Sequence, residues 1–154
     1  MSRRTVLAEV CAGLNEHRAR YAVVGGFAVQ LWGSVRASND LEVLIEATRD
    51  NARQVLDALE QAGDRWGLAR DVSAEGVASL PATVLGDRPR VAILTVAFRL
   101  QYAEAARDAT VFEVDGVKIP TASIEHLIAS KQTGRLRDAA DVEELLDIRR
   151  LRSD

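Results

Sequence analysis

The sequence predicts an α/β (α+β) fold, a mixed β-sheet flanked by helices. Three observations carry that expectation. Apolar residues recur at helical spacing in two stretches, Val6, Leu7, Val10, Cys11 and Leu14, and Ala52, Val55, Leu56 and Leu59. Apolar runs of strand length lie at Tyr21–Val24, at Leu41–Ile45 and over residues 91–98. Thr110–Val114 and residues 117–119 flank Asp115-Gly116, the strongest hairpin signal in the chain.

The elements follow in order. Residues 3–18 read as the first helix and Tyr21–Val24 as the first strand. A short helix over residues 26–32 is closed by Gly33. Residues 35–39 read as a loop and residues 40–45 as the second strand. An amphipathic helix over residues 50–62 stops at Gly63. Residues 64–89 hold Gly67, Gly76, Pro81, Gly86 and Pro89, and allow one short strand at Ala82–Leu85. The run over residues 91–98 reads as a central strand, residues 100–107 as helical. After the hairpin, Ser123 opens a helix reaching about residue 133. A last helix covers residues 136–150, with Asp138 near its start and Arg149, Arg150 and Arg152 near its end, in line with the helix dipole.

Composition narrows the function classes. A chain of 154 residues is most simply one domain over residues 1–154, and 47% hydrophobic content supports a real core. Aromatics at 5% make that core aliphatic. A net charge of −3 argues against a dedicated nucleic-acid-binding module. One cysteine, Cys11, cannot close an internal disulfide and reads as a small buried residue in a reducing compartment. No apolar stretch approaches membrane-spanning length and the N-terminus carries no apolar signal segment, so the expectation is a soluble, cytoplasmic protein without a membrane partner. His17 and His126 lie far apart and offer no zinc-type spacing.

The informative stretch is residues 24–43. Gly25 and Gly26 follow the first strand and open a helix, where backbone N–H groups can approach a phosphate. Asp40 and Glu42 stand at i and i+2 of the second strand, so they share one face. Two carboxylates aimed at one spot repel unless a cation lies between them, and oxygen ligands at that density suit Mg²⁺, or Mn²⁺. Metal and phosphate cradle together suggest nucleotide chemistry. The bland alternatives are a strand edge with two solvated acids and a plain strand-to-helix turn.

The phrase YAVVGGFAVQLWGSVRASNDLEVLIE resembles the active-site signature of the DNA polymerase β-type nucleotidyltransferases. That signature is an apolar residue, Gly, Gly or Ser, a spacer, then Asp–apolar–Asp/Glu–apolar on a strand. Within that superfamily the chain looks closest to the small bacterial branch that includes the AbiE-type toxins. The phrase SIEHLIASKQTGRLRDAADVEEL resembles the second half of that branch's pattern. The resemblance implies a nucleotidyltransferase-like fold and transfer of a nucleoside monophosphate from a Mg-NTP to a hydroxyl acceptor on a nucleic acid, a protein or a small molecule.

Residue by residue, it implies Asp40 and Glu42 as metal ligands, and Gly25, Gly26, Ser34, Arg36 and Lys131 around the triphosphate. Arg135 would add positive charge. Asp138 is implied as an extra catalytic acid, with Asp141 three residues on. Many members carry a third carboxylate on a later central strand, and Ala92 aligns with it here. Either Asp138 or Asp141 supplies that function, or the site is a degenerate nucleotide-binding or protein-interaction module on the same scaffold. In so short a chain, a protein partner, as in a toxin–antitoxin pair, or a second copy in a homodimer would supply the acceptor surface.

Overall fold

The computed structural model describes every residue except 1–4, 36, 37, 39, 64, 65, 67, 68, 70, 88 and 154. Its centre is a six-stranded mixed sheet of order β3-β4-β2-β1-β6-β5. The strands are β1 (Tyr21–Val24), β2 (Leu41–Ile45), β3 (Ala82–Leu85), β4 (Val91–Leu94), β5 (Thr110–Val114) and β6 (Val117–Thr121). The helices are α1 (Val6–Glu16), α2 (Gly25–Trp32), α3 (Arg49–Gln61), α4 (Ala74–Ser79), α5 (Tyr102–Arg107), α6 (Ile124–Ser130) and α7 (Leu136–Ser153).

β1 runs antiparallel to β2 and parallel to β6, while β2 runs parallel to β4. The hairpin β5–β6 turns at Asp115 and Gly116, with φ of 52° and 80°. Positive φ at both central residues is what a type I′ turn requires, and it makes Asp-Gly readable as a hairpin. Helix starts are equally local. Thr5, Thr48, Ser73 and Ser123 each accept a backbone N–H from the first turn of α1, α3, α4 and α6. Each such cap is worth about 1 kcal/mol.

The core is aliphatic. Leu14, Leu41, Leu44, Ile45, Leu56, Leu59, Ile93 and Leu127 are fully buried. Each contributes roughly 1.5–3 kcal/mol by leaving water. Cys11 lies inside, and burial pushes its thiol up to about 12 against a smaller lowering by the Tyr21 hydroxyl. It is a neutral packing residue.

Several expectations are adjusted: β2 starts at Leu41, so Asp40 precedes it, and α6 ends at Ser130 rather than near residue 133. The region 64–89 contains a helix, α4, as well as the strand at Ala82–Leu85. The strand expected over residues 91–98 ends at Leu94, because Ala97 and Leu100 exchange two backbone hydrogen bonds of 2.9 Å and fold the chain back. Among the described residues, no helix is long and apolar enough to cross a membrane.

One buried polar residue joins three elements. Asn51, 2% exposed in the first turn of α3, accepts the Arg20 N–H at 2.7 Å. It donates to the carbonyls of Arg20 and Glu46 at 2.9 and 3.0 Å. It therefore ties the start of β1 to the end of β2 and to α3. Asn51→Ala would leave these backbone groups without partners, and the expected loss is about 2–4 kcal/mol. Urea unfolding followed by far-UV circular dichroism should show a lower midpoint at unchanged slope.

Candidate active site

The strand register builds the site. Antiparallel pairing sets Val24 opposite Glu42, parallel pairing sets Glu42 beside Ala92, and β3 sets Val84 beside Ala92. Cross-strand partners share a face, so these four side chains form one row across the sheet. That face opens into a cavity of about 710 Å³. Its lining brings together Gly25, Gly26, Asp40 and Glu42 with Lys131 and Asp138, over a hundred residues apart in sequence at the extremes.

Gly25 is demanded by its backbone, at φ +70°, and the Glu42 side chain lies where a Cβ would stand. The carboxylate thus lies directly against the backbone at the start of α2. The N-cap of α2 is Val24, which has no side chain able to cap, and no side-chain hydrogen bond closes this helix start. An uncapped N-terminus presents unpaired N–H groups and roughly half a positive charge to the cavity. Asp40 stands just before β2, and its Oδ1 accepts the Arg90 N–H at 3.3 Å. With Glu42 it gives two oxygen-donor side chains on one wall. Among the described residues, no group of three or more His, Cys, Asp or Glu could hold an ion. Two carboxylates fit Mg²⁺ in its usual mode, in which water and substrate phosphates complete the shell.

The opposite wall is a buried ionic cluster at the α6–α7 junction. Lys131 Nζ lies 2.9 Å from Asp141 Oδ2 and 3.6 Å from Asp138 Oδ1. All three residues are buried. Thr133 donates its hydroxyl to Asp138 Oδ2 at 2.5 Å, and Arg135 Nε donates to the same oxygen at 2.9 Å. Burial pushes the Asp138 carboxyl up, but the Thr133 hydroxyl and the charges of Lys131 and Arg135 outweigh it and hold it below the usual value of 3.8. Asp138 is thus held within the cluster by Lys131, Arg135 and the Thr133 hydroxyl. Asp141 is not among the lining residues and backs Lys131 from behind.

Other expected residues fall as follows. Ser34 is buried past the C-terminal end of α2, its N–H on the Val29 carbonyl, and is not among the lining residues; Ser38 is. Arg36 lies outside the described residues. Trp32, a residue of α2 not among the lining residues, donates to the Ala122 carbonyl at 2.9 Å and meets Phe112 edge-on at 5.0 Å. The aromatic in the cavity is Phe98, which the sequence reading placed inside a strand. Thr133, Arg90 and Arg137 also line the cavity. No local motif marks Thr133 or Phe98; the α6–α7 turn and the Ala97–Leu100 turn bring them in.

Gly25→Ala should expel the Glu42 carboxylate and strain the start of α2. The expected result is a loss of about 1–3 kcal/mol of stability from the positive φ, read by denaturant unfolding. Asp138 gives a pH signature. Its folded pKa lies below its unfolded one, so its stabilisation is present above the unfolded value and is lost as pH falls through the folded value. The stability gap between wild type and Asp138→Asn should therefore be constant near neutrality and narrow as pH falls below about 4. Thermal unfolding across that range measures it.

No family model and no curated protein matches the chain. Solved structures do match it. One is the crystal structure of an antigenic nucleotidyltransferase-like protein from Paracoccidioides brasiliensis. It superposes with a TM-score of 0.60 at 20% identity, over 95% of this chain and 74% of that one. The six-stranded mixed sheet with its helices is a nucleotidyltransferase-like fold.

Proposed function

We propose that the cavity binds an NTP with Mg²⁺ or Mn²⁺ and transfers its nucleoside monophosphate to a hydroxyl acceptor. The observation that carries this reading is the meeting of Asp40 and Glu42 with the uncapped, Gly25-initiated helix α2 in one cavity. Asp40 and Glu42 would hold the metal, which when bound neutralises phosphate charge and polarises the phosphoryl oxygens. The N–H groups of Gly25 and Gly26 would donate to phosphate oxygens, helped by the dipole of α2. Arg135 and Arg137 line the same cavity and would add charge-assisted hydrogen bonds. Lys131 would act with its charge partly spent on Asp138 and Asp141, as a fixed post of the wall. Arg36, in the loop before Asp40, stays a candidate for phosphate pairing on sequence grounds. Catalysis in such a site is positioning and charge neutralisation.

The resemblance of residues 21–46 and 123–145 to the AbiE-type branch supports placing the chain there, with a protein partner or a second copy completing the acceptor surface. Growth arrest on expression, relieved by a neighbouring gene product, would support the toxin–antitoxin form of that placement.

A second reading is a nucleotide-binding module without transfer. Ala92 favours it, since the residue beside Glu42 on β4 can neither ligate nor take a proton.

The test is calorimetric titration of each NTP, with and without Mg²⁺ or Mn²⁺, into wild type and Asp40→Ala. Metal-dependent binding that weakens at least about tenfold in the variant supports the site, a loss of one carboxylate–metal interaction. Binding that ignores both metal and substitution overturns it. Binding without transfer to any acceptor turns the choice to the second reading.

A further inference from the structure

Three carboxylates line the cavity among the described residues: Asp40, Glu42 and Asp138. Asp138 is already engaged by Lys131, Arg135 and Thr133 on the opposite wall. The two on the sheet lean to opposite sides. The Glu42 carboxylate lies at the Gly25 backbone, on the β1 side, with the start of α2 and the basic α6–α7 junction. Asp40 Oδ1 meets the Arg90 N–H at 3.3 Å, on the β4 side. Beyond it, β3 and β4 give no acid. Val91, Ile93 and Leu85 are buried, while Ala92, Leu94, Ala82 and Val84 are not. The register sets Ala82 beside Leu94 and Val84 beside Ala92, so these four form a flat apolar shelf.

Two-metal phosphoryl-transfer sites set their ions about 3.5–4 Å apart. Two divalent ions that close repel strongly and need several carboxylates to neutralise and bridge them. Asp40 and Glu42 balance the charge of one such ion. A second would need an acid on β4, and Ala92 stands in the row beside Glu42.

A cation borders the shelf instead. Arg90 comes two residues before Ala92, and both line the cavity. Its backbone is fixed on both sides: its carbonyl accepts the Leu41 N–H at 2.9 Å, and its N–H donates to Asp40. Among the described residues no ion pair holds its guanidinium, whereas Lys131 and Arg135 share Asp138. A guanidinium stays charged at any working pH, so it donates and never acts as a base. Beside Asp40 it opposes a second divalent ion. It also offers phosphoryl oxygens the positive charge and directed N–H groups that stabilise a transferring phosphoryl group. Attacking and leaving oxygens lie roughly in line in this chemistry. The leaving pyrophosphate belongs with the α2 N-terminus and the basic junction, which sets the α-phosphoryl group over Glu42 and Asp40, with Arg90 on its β4 side.

We infer that the site takes a single divalent ion with its nucleotide, and that Arg90 stands in for a second ion as a catalytic residue, donating to a non-bridging oxygen of the α-phosphoryl group. This rests on the nucleotidyltransferase reading. In the step, the acceptor oxygen bonds to the α-phosphorus. The bond from that phosphorus to the α,β-bridging oxygen breaks, and its electron pair leaves with pyrophosphate. The hydroxyl proton passes to water, since residue 92 has no carboxylate to take it. Arg90 meets the charge that gathers on the α-phosphoryl oxygens.

The experiment uses Mn²⁺ and the α,β-methylene analogues of the four NTPs, whose α,β link cannot break. Equilibrium dialysis counts bound metal and bound nucleotide separately. The expected result is one Mn²⁺ per bound nucleotide at saturating metal, rising to two in Ala92→Asp. Phosphorus NMR with Mg²⁺ then reads Arg90. Arg90→Ala should shift the α-phosphorus resonance of the bound analogue, leave the β and γ resonances in place and weaken binding about tenfold, the loss of one charge-assisted hydrogen bond. Its metal count should stay at one, and Arg90→Lys should recover part of the affinity. Arg90 is exposed, and far-UV circular dichroism checks that each variant is folded. Two ions per nucleotide in the wild type overturn the proposal and leave the nucleotide site standing. So does an α resonance that ignores Arg90→Ala. A count of one in folded Ala92→Asp overturns the assignment of the single ion to the missing acid. No binding of any NTP or analogue, or binding that needs no metal, overturns the underlying reading, and this one falls with it.

Discussion

The carboxylate of Glu42 occupies the volume that a side chain on residue 25 would need. Much of the site depends on that exclusion. Because residue 25 is Gly, the chain can leave β1 at φ +70° and enter α2 at once. Because it has no Cβ, the acid on β2 can lie against the backbone where the helix dipole is positive. The same contact couples the two sequence motifs physically. The glycines and the acidic pair are separated by a spacer, but the β1–β2 register sets Val24 opposite Glu42 and forces them together. A negative side chain at an uncapped helix start also partly neutralises a site that would otherwise repel itself. Cation and phosphate would then exchange one set of charge contacts for another.

The second organising feature is the ionic cluster around Lys131. A buried lysine is costly alone, and here two carboxylates share it. Asp138 is in turn held by Thr133 and Arg135, so the cluster is well satisfied by hydrogen bonds. The consequence is rigidity. α6 and α7 meet at a turn whose polar groups bond one another, and Arg135 and Arg137 are carried on that fixed frame. Long basic side chains lose less freedom on meeting an anion when their backbone is already ordered.

The sequence carried the fold wherever chemistry was local. Asp115-Gly116 announced the hairpin, Gly33 the end of α2, and the 52, 55, 56, 59 spacing the buried face of α3. It placed Asp40 and Glu42 two residues apart, and both line the cavity, although Asp40 stands just before the strand rather than on it. It could not carry what depends on distant segments. Ser34, a hydroxyl near phosphate by resemblance, follows the C-terminal end of α2 and is not among the lining residues, whereas Ser38 is. Phe98 read as strand because its neighbours are apolar, whereas a tight turn at Ala97–Leu100 sets it at the cavity. The partnership of Lys131 with both aspartates required knowing how α6 turns into α7. α4 lay in a stretch that the sequence left open, and its Ser73 cap and packing on α3 make it a helix.

Ala92 links these strands of argument. It stands in the row Val24, Glu42, Ala92, Val84, at the boundary between the charged and the apolar sides of one cavity. A carboxylate there would add a third negative charge beside Glu42 and would break the apolar shelf at its inner edge. Alanine does neither. Its small side chain keeps the shelf continuous with Val84 and Leu94 and leaves room for a substrate atom to approach Glu42 closely. Phe98 holds its left-handed backbone conformation because it is the first residue of the two-residue turn that the paired Ala97–Leu100 hydrogen bonds close.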